Sequence, residues 1–240
     1  MKQTLQTILL PSLSSIDEEW TSDDWETPWF LGWRMQQILE LYSRDAFTGG
    51  GNVHPKVPGF VIEPGAGNGN ISQFYKGDLP YYCVESKGCR FDQGKKVFTA
   101  GEWQNVDFLD LDLTELAGGR HYSAIANLPF SLAMDMLEHF ASHSPLPRLL
   151  VMLLPTDFFQ SKKRFLRLSD MPFRIQAIHQ LAGRVPFIRN GTPEPKHKCN
   201  DSIFILSPVY LSPQAGSPIV VESPEDLQRN FLQTFSPATQ

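Results

Sequence analysis

The sequence contains no disulfide scaffold, no membrane-length apolar run, no phosphate-binding loop and no cluster of metal-type ligands. Its three cysteines, Cys83, Cys89 and Cys199, are odd in number and lack metal-like spacing. That excludes a disulfide framework and makes a reducing, cytoplasmic setting the expectation. No run approaches the roughly 20 apolar residues of a membrane helix. The patch after Met1-Lys2-Gln3-Thr4 is too weakly apolar for a secretory signal, so no membrane association is expected. The six histidines, His54, His121, His139, His143, His179 and His197, show no ligand spacing, so no metal is expected. A formal charge of −5 excludes a uniformly basic nucleic-acid binder.

That average hides an asymmetry. Residues 17–26 carry six acids and no base, whereas residues 160–200 carry nine bases against Asp170 and Glu194. A local basic stripe lets an acidic protein hold a phosphate backbone, although a solvated helix face reads the same way on charge alone.

At 240 residues and 41% apolar content, the chain suits one α/β domain with a real core. Leu31, Met35, Ile38, Leu39 and Tyr42 recur at three- and four-residue intervals, which predicts a helix over 28–43 with Thr27 as N-cap and Pro28 at its first position. Apolar runs predict strands at 58–63, 81–84, 104–107, 123–126 and 149–154, with closing strands at 175–181 and 202–206. Helices are expected near 70–76, 90–99, 131–142 and 156–168, the 131–142 helix presenting Leu132, Met136, Leu137 and Phe140 on one face. This alternation means a Rossmann-like, doubly wound α/β fold with a seven-stranded, mostly parallel sheet. Its ligand belongs beyond the carboxyl ends of the strands. Residues 1–23 read as irregular and 211–240 as an extended, proline-rich tail.

The chain is organised around Val61-Ile62-Glu63-Pro64-Gly65-Ala66-Gly67-Asn68-Gly69-Asn70. A buried strand ends in an acid and breaks into alternating glycines, as a tight turn approached by a ligand requires. The spacing differs from a dinucleotide fingerprint. Glu85 ends the second strand, Asp107-Phe108 ends the third, and Asn127-Leu128-Pro129-Phe130 follows the fourth.

Glu63 with the glycine turn resembles motif I of class I S-adenosylmethionine-dependent methyltransferases. Asn127-Leu128-Pro129-Phe130 resembles the (Asn/Asp/Ser)-Pro-Pro-aromatic motif of their amino-group branch, above all N6-adenine enzymes. Leu128 replaces the commoner proline, a variant also similar to ribosomal RNA adenine dimethylases. Glu26-Thr27-Pro28 resembles motif X, and residues 24–206 as a whole resemble small orphan adenine methyltransferases of phages and prophages.

The resemblance implies a methyltransferase domain over 24–210. It places S-adenosylmethionine on Thr27, Pro28, Glu63, Pro64, Gly65, Ala66, Gly67, Glu85, Ser86, Asp107, Phe108 and Asn127. Glu85 would take the ribose hydroxyls and Asp107 the adenine amine, with Phe108 against the ring. Asn127 and the Leu128 carbonyl, steered by Pro129, would hold a target amine while Phe130 stacks on its base. Lys162, Lys163, Arg164, Arg184 and Arg189 would grip nucleic acid, DNA more than RNA. RNA adenine, a protein glutamine amide, or an inactive cofactor-binding module are the alternatives.

Overall fold

Apolar runs without alternation belong where both faces of a sheet are covered, and the longest here, residues 149–154, lies at its centre. The computed structural model describes residues 25–48, 59–189, 192–194, 200–211 and 219–235. Its strands are β1 (Phe60–Pro64), β2 (Tyr81–Val84), β3 (Glu102–Gln104), β4 (Tyr122–Asn127), β5 (Leu149–Pro155), β6 (Phe173–Leu181), β7 (Phe187–Arg189), β8 (Thr192–Glu194), β9 (Asp201–Pro208) and β10 (Ile219–Glu222). Its helices are α1 (Trp29–Thr48), α2 (Gly88–Val97), α3 (Leu113–Ala117), α4 (Ala133–Ser142), α5 (Lys162–Asp170) and α6 (Pro224–Phe235).

Eight strands form one sheet in the order β10-β6-β9-β5-β4-β1-β2-β3, while β7 and β8 pair as a separate hairpin. Every pairing in the large sheet is parallel except those of β9 with β5 and β6. The chain lays β2 and β3 on one side of β1, then crosses to lay β4 and β5 on the other. The carboxyl ends of β1 and β4 therefore flank the point where the strand order reverses, the standard opening for a ligand in such sheets.

Alternate strand residues feed two cores. Phe60, Ile62, Tyr122 and Ala124 pack with Met136, Leu137 and Phe140 of α4. Val61, Ile125, Val151 and Leu153 lie on the other face, with Leu31, Met35 and Ile38 of α1 and with Leu227 and Phe231 of α6.

The doubly wound, mostly parallel sheet matches the expectation, with an eighth strand added. That strand corrects the reading of 211–240 as extended: Ile219–Glu222 adds parallel to β6, and Pro224 opens α6. Proline suits the first turn of a helix, where its missing N–H costs nothing. Leu227 and Phe231, four residues apart, give α6 a buried stripe. Glu222 accepts from Arg34 of α1 and lies 3.4 Å from His179 Nδ1, while His179 Nε2 meets the Tyr42 hydroxyl at 3.2 Å.

Smaller corrections follow from edges and turns. The helix expected at 70–76 is a single 3-10 turn, Ser72–Phe74. Strand three sits earlier than 104–107, at Glu102–Gln104, because a half-exposed edge strand needs no apolar run. The helix expected from 156 starts at Lys162, after a 3-10 turn over Phe158–Gln160. The long 183–200 loop contains the β7–β8 hairpin. Expectations for residues 1–23 and for Lys196 and Lys198 lie outside the described residues.

Candidate active-site cleft

At the carboxyl end of β1 the backbone turns through three left-handed positions, Gly65 (φ 64°), Gly67 (φ 55°) and Gly69 (φ 79°). Side-chain-bearing residues resist that conformation, so glycine is required. The turn is fastened to its neighbours. Ala66 N–H donates to the Val84 carbonyl at 3.0 Å, and Gly67 N–H to Glu85 Oε2 at 2.8 Å. The Asn70 side-chain amide donates to the Thr27 carbonyl at 3.0 Å and accepts from Trp29 Nε1 at 3.2 Å. Gly32 of α1 lies so close that a β-carbon built there would sit 2.2 Å from the Asn70 carbonyl oxygen.

An open cleft lies above this turn. It brings together Gly65, Ala66 and Gly67 from β1, Glu85 and Ser86 from β2, Asp107 and Phe108, and Asn127 to Phe130 from β4, with Thr27 closing one side. A β-carbon on Gly65 would stand 4.0 Å from Pro129 Cδ, which measures how closely the glycine turn faces the β4 end. Pro28 and Pro64 do not line the cleft: Pro64 ends β1, and the Pro28 carbonyl accepts from Leu31 and Gly32 to start α1.

Each acid in the cleft has a different state. Glu85 is 6% exposed and accepts from Gly67 and Lys87 main-chain N–H groups, the latter at 2.9 Å. With two lone pairs per oxygen, it keeps capacity for further donors. Asp107 Oδ1 caps the following 3-10 turn through Leu109 N–H, also at 2.9 Å. The ring of Phe108 is in the core, edge-on to His139 at 5.0 Å and tilted against Phe140; only 4% of the residue is exposed. The core reading therefore describes that ring better than a role against an adenine.

Glu63 differs most from expectation. It is 1% exposed and accepts from the Tyr81 hydroxyl at 2.6 Å. Burial pushes its carboxyl up to about 8, outweighing the bonds from Tyr81 and Ser72, and neighbouring Glu85 adds to the rise. Near neutral pH it is chiefly a protonated floor residue, not a counter-charge for a cationic ligand. A raised folded-state value contributes stability that is full below the usual 4.5 and is lost as pH rises through about 8. Glu63→Gln should therefore flatten a decline of about 1.4 kcal/mol per pH unit across that window. Urea titrations of both proteins at several pH values measure this; parallel declines would refute it.

Asn127 ends β4 with its side-chain nitrogen donating to Thr27 Oγ1 at 3.1 Å. The Pro129 carbonyl is taken by Leu132 N–H, 3.0 Å away. Phe130 is partly buried against the β4 face of the core. Leu132, expected on the apolar face of α4, is 40% exposed and lines the cleft instead.

None of the five basic residues expected to grip nucleic acid lines the cleft, whereas Lys87 and Arg90 do. Lys162 and Lys163 are exposed at the start of α5, and Arg184 is exposed before β7. Arg164 stacks over the Phe158 ring at 4.3 Å. Arg189 is nearest the cleft, with its guanidinium 5.4 Å from the ring of cleft-lining Trp25. Arg167 is bound to Asp135 and Glu138 and drops out of the basic stripe. Sequence reading missed Trp25, Asn68, Asn70 and Arg90 as lining residues. The asparagines beside the glycines were their one visible signal. Among the described residues no cluster of His, Cys, Asp and Glu could hold a metal ion.

No protein-family model and no curated protein matches the chain. Solved structures do match. A Listeria monocytogenes protein described as a class I S-adenosylmethionine-dependent methyltransferase superposes with a TM-score of 0.57 at 13% identity, over 90% of this chain and 71% of that one. A Pyrococcus horikoshii protein described as an RNA methyltransferase gives 0.58, also at 13% identity, over 82% of this chain and 93% of the other. The chain therefore has the fold of the class I methyltransferases.

Proposed function

We propose that the protein transfers a methyl group from S-adenosylmethionine to an exocyclic amine, adenine N6 in DNA being the first reading and adenine in RNA the second. The reading rests above all on Asn127. Its nitrogen donates to Thr27 Oγ1, which leaves Oδ1 to serve as the acceptor, and the residue lines the same cleft as the glycine turn.

The cleft suits the donor molecule. Glu85 retains lone pairs for ribose hydroxyls, and Asp107, with one oxygen capping Leu109, has its other oxygen for an adenine amine. The glycine turn offers bare backbone where a bulky ligand must approach. When bound, S-adenosylmethionine supplies an electrophilic methyl group on a sulfonium. The residues act on the amine. An aromatic amine is a poor nucleophile because its lone pair is delocalised into the ring. Asn127 Oδ1 and the Leu128 carbonyl each accept one N–H, drawing the nitrogen towards tetrahedral geometry and freeing that pair. Both acceptors are fixed before the substrate arrives, which is electrostatic preorganisation. Phe130 stacks on the extruded base, contributing roughly 1–3 kcal/mol against the few kcal/mol that extrusion costs. The Pyrococcus horikoshii likeness and the Leu128 variant keep RNA as the second substrate.

Isotopically labelled donor offered with duplex DNA, single-stranded DNA, RNA and protein extract tests the reading. Label in N6-methyladenine is the expected product; label confined to protein, or none at all, overturns it. Lys162→Ala combined with Lys163→Ala should weaken DNA binding and reduce the salt slope by about 2, at about 0.9 per lost phosphate contact. An unchanged slope removes α5 from the nucleic-acid surface.

A further inference from the structure

Helix α5 carries apolar side chains on its charged side. Leu168 is buried, while Arg164 and Arg167 turn towards the fold, onto the Phe158 ring and onto Asp135 and Glu138 of α4. These contacts fix the roll of the helix. The side left facing out holds Lys162, Phe165, Leu166 and Ser169, at the three- and four-residue spacings of one helical stripe, with Lys163 beside them. Phe165 is 57% exposed and Leu166 51%. An amphipathic helix ordinarily turns its large apolar side chains to the core, whereas here a phenylalanine and a leucine stand among lysines in water.

This stripe adjoins the amine side of the cleft. β5 leaves the sheet at the same carboxyl edge as β4, with Leu153 level with Asn127, and α5 starts after the 3-10 turn that follows. Leu132, which lines the cleft, immediately precedes α4, and Arg167 ties α5 to that helix at Asp135. Glu85 and Asp107, which follow β2 and β3, lie on the other side of β1. A chain leaving the cleft past Phe130 on the α4 side has α5 as its next surface.

Cations interleaved with a ring fit a polymer that offers phosphates and uncovered apolar faces together. An intact duplex hides its base faces in the stack and presents phosphates and groove edges, so Phe165 would gain nothing from it. An unpaired strand shows a π-face at every base. A second copy of the same stripe would set lysines against lysines. Resting on the nucleic-acid reading above, we propose that the outer face of α5 is a platform for unpaired nucleotides flanking the target. Phe165 stacks on a base, Leu166 packs beside it, and Lys162 and Lys163 hold the adjoining phosphates. The substrate this fits is a single strand, or a locally melted segment, of DNA or RNA. Since the roll of α5 is already fixed, binding orders little of the protein beyond these side chains.

Fluorescence anisotropy of the full chain tests this with an unstructured, adenine-containing DNA oligonucleotide, its RNA counterpart and the blunt DNA duplex of the same sequence, each over a salt series. Wild-type protein should bind one of the single strands about 10-fold more tightly than the duplex. Phe165→Ala should weaken that binding about 5- to 100-fold, the range of one lost base–aromatic stack. Its salt slope should be unchanged, because no phosphate contact is lost, its duplex affinity should stay within about 2-fold, and Phe165→Trp should restore the single-strand affinity. A single-strand affinity that Phe165→Ala leaves intact overturns the platform, and so does an equal loss on strand and duplex. A wild-type dimer that Phe165→Ala turns into a monomer, read by light scattering, assigns the face to a second copy and overturns it too. In each of those cases label found in N6-methyladenine leaves the proposed function standing. Should wild-type protein bind and label no nucleic acid, that function falls and the platform with it.

Discussion

Asn127→Ala should lower methyl transfer by about two to three orders of magnitude, the size expected when one preorganised hydrogen-bonding group aimed at the reacting atom is removed. Affinity for the methyl donor should stay within about 3-fold of wild type. The two effects separate because the Asn127 side chain is held by Thr27, whereas the glycine turn is fastened through Val84, Glu85 and Asn70. Truncation leaves those attachments intact. Single-turnover methylation with labelled donor gives the rate, and calorimetry with S-adenosylhomocysteine gives the affinity. Normal turnover would remove Asn127 from the chemistry and the amine site with it.

Gly32→Ala carries the second large effect, and its sign is diagnostic. In an ordinary helix interior, alanine is more favourable than glycine by about 0.5–1 kcal/mol. At Gly32 the new methyl would lie 2.2 Å from the Asn70 carbonyl oxygen and 3.2 Å from Ile71 Cα. Both obstacles are main-chain atoms with no rotamer to yield, so α1 must retreat or the turn must move. A net loss of about 1–3 kcal/mol is expected from such overpacking. Donor affinity should fall as well, since the atoms displaced belong to the cradle. Urea unfolding with an unchanged m-value measures the first effect and ligand titration the second. A variant at least as stable as wild type would show that α1 does not press on the turn and would refute this prediction.

Strands β2 and β5 were legible in the sequence because each is an apolar run without a polar interruption. Tyr81–Val84 appears where the sequence places it, and β5 extends only one residue beyond its expected end. The glycine turn was legible for a different reason: three glycines at alternate positions have few other physical uses. Positions whose pattern depends on partners far along the chain were not legible. Glu102-Trp103-Gln104 becomes a strand only because the edge of β2 offers it hydrogen bonds. Ile219–Glu222 is recruited likewise by β6. Pro218 and Pro224 suggested an extended tail, although the second of them starts a helix.

In the cleft, local sequence indicated which residues meet but not their states. Nothing near Glu63 in the chain shows that burial will keep it protonated in spite of the bond from Tyr81. Glu26 closes an acidic run, and its pairing with Ile188, which no local pattern shows, carries it into the cleft wall. The Arg-rich helix looked uniformly available, whereas Arg167 and Arg164 are already engaged within the fold.

The bridge between Glu26 and Ile188 couples two regions that are distant in sequence. Main-chain bonds in both directions tie the strap before α1 to the hairpin that carries Arg189. A polymer pressing on that hairpin must carry the strap along or break both bonds. Were nucleic acid to load that hairpin, as proposed, and shift the strap, thermodynamic reciprocity would have whatever fills the cleft alter the grip at the hairpin by the same factor.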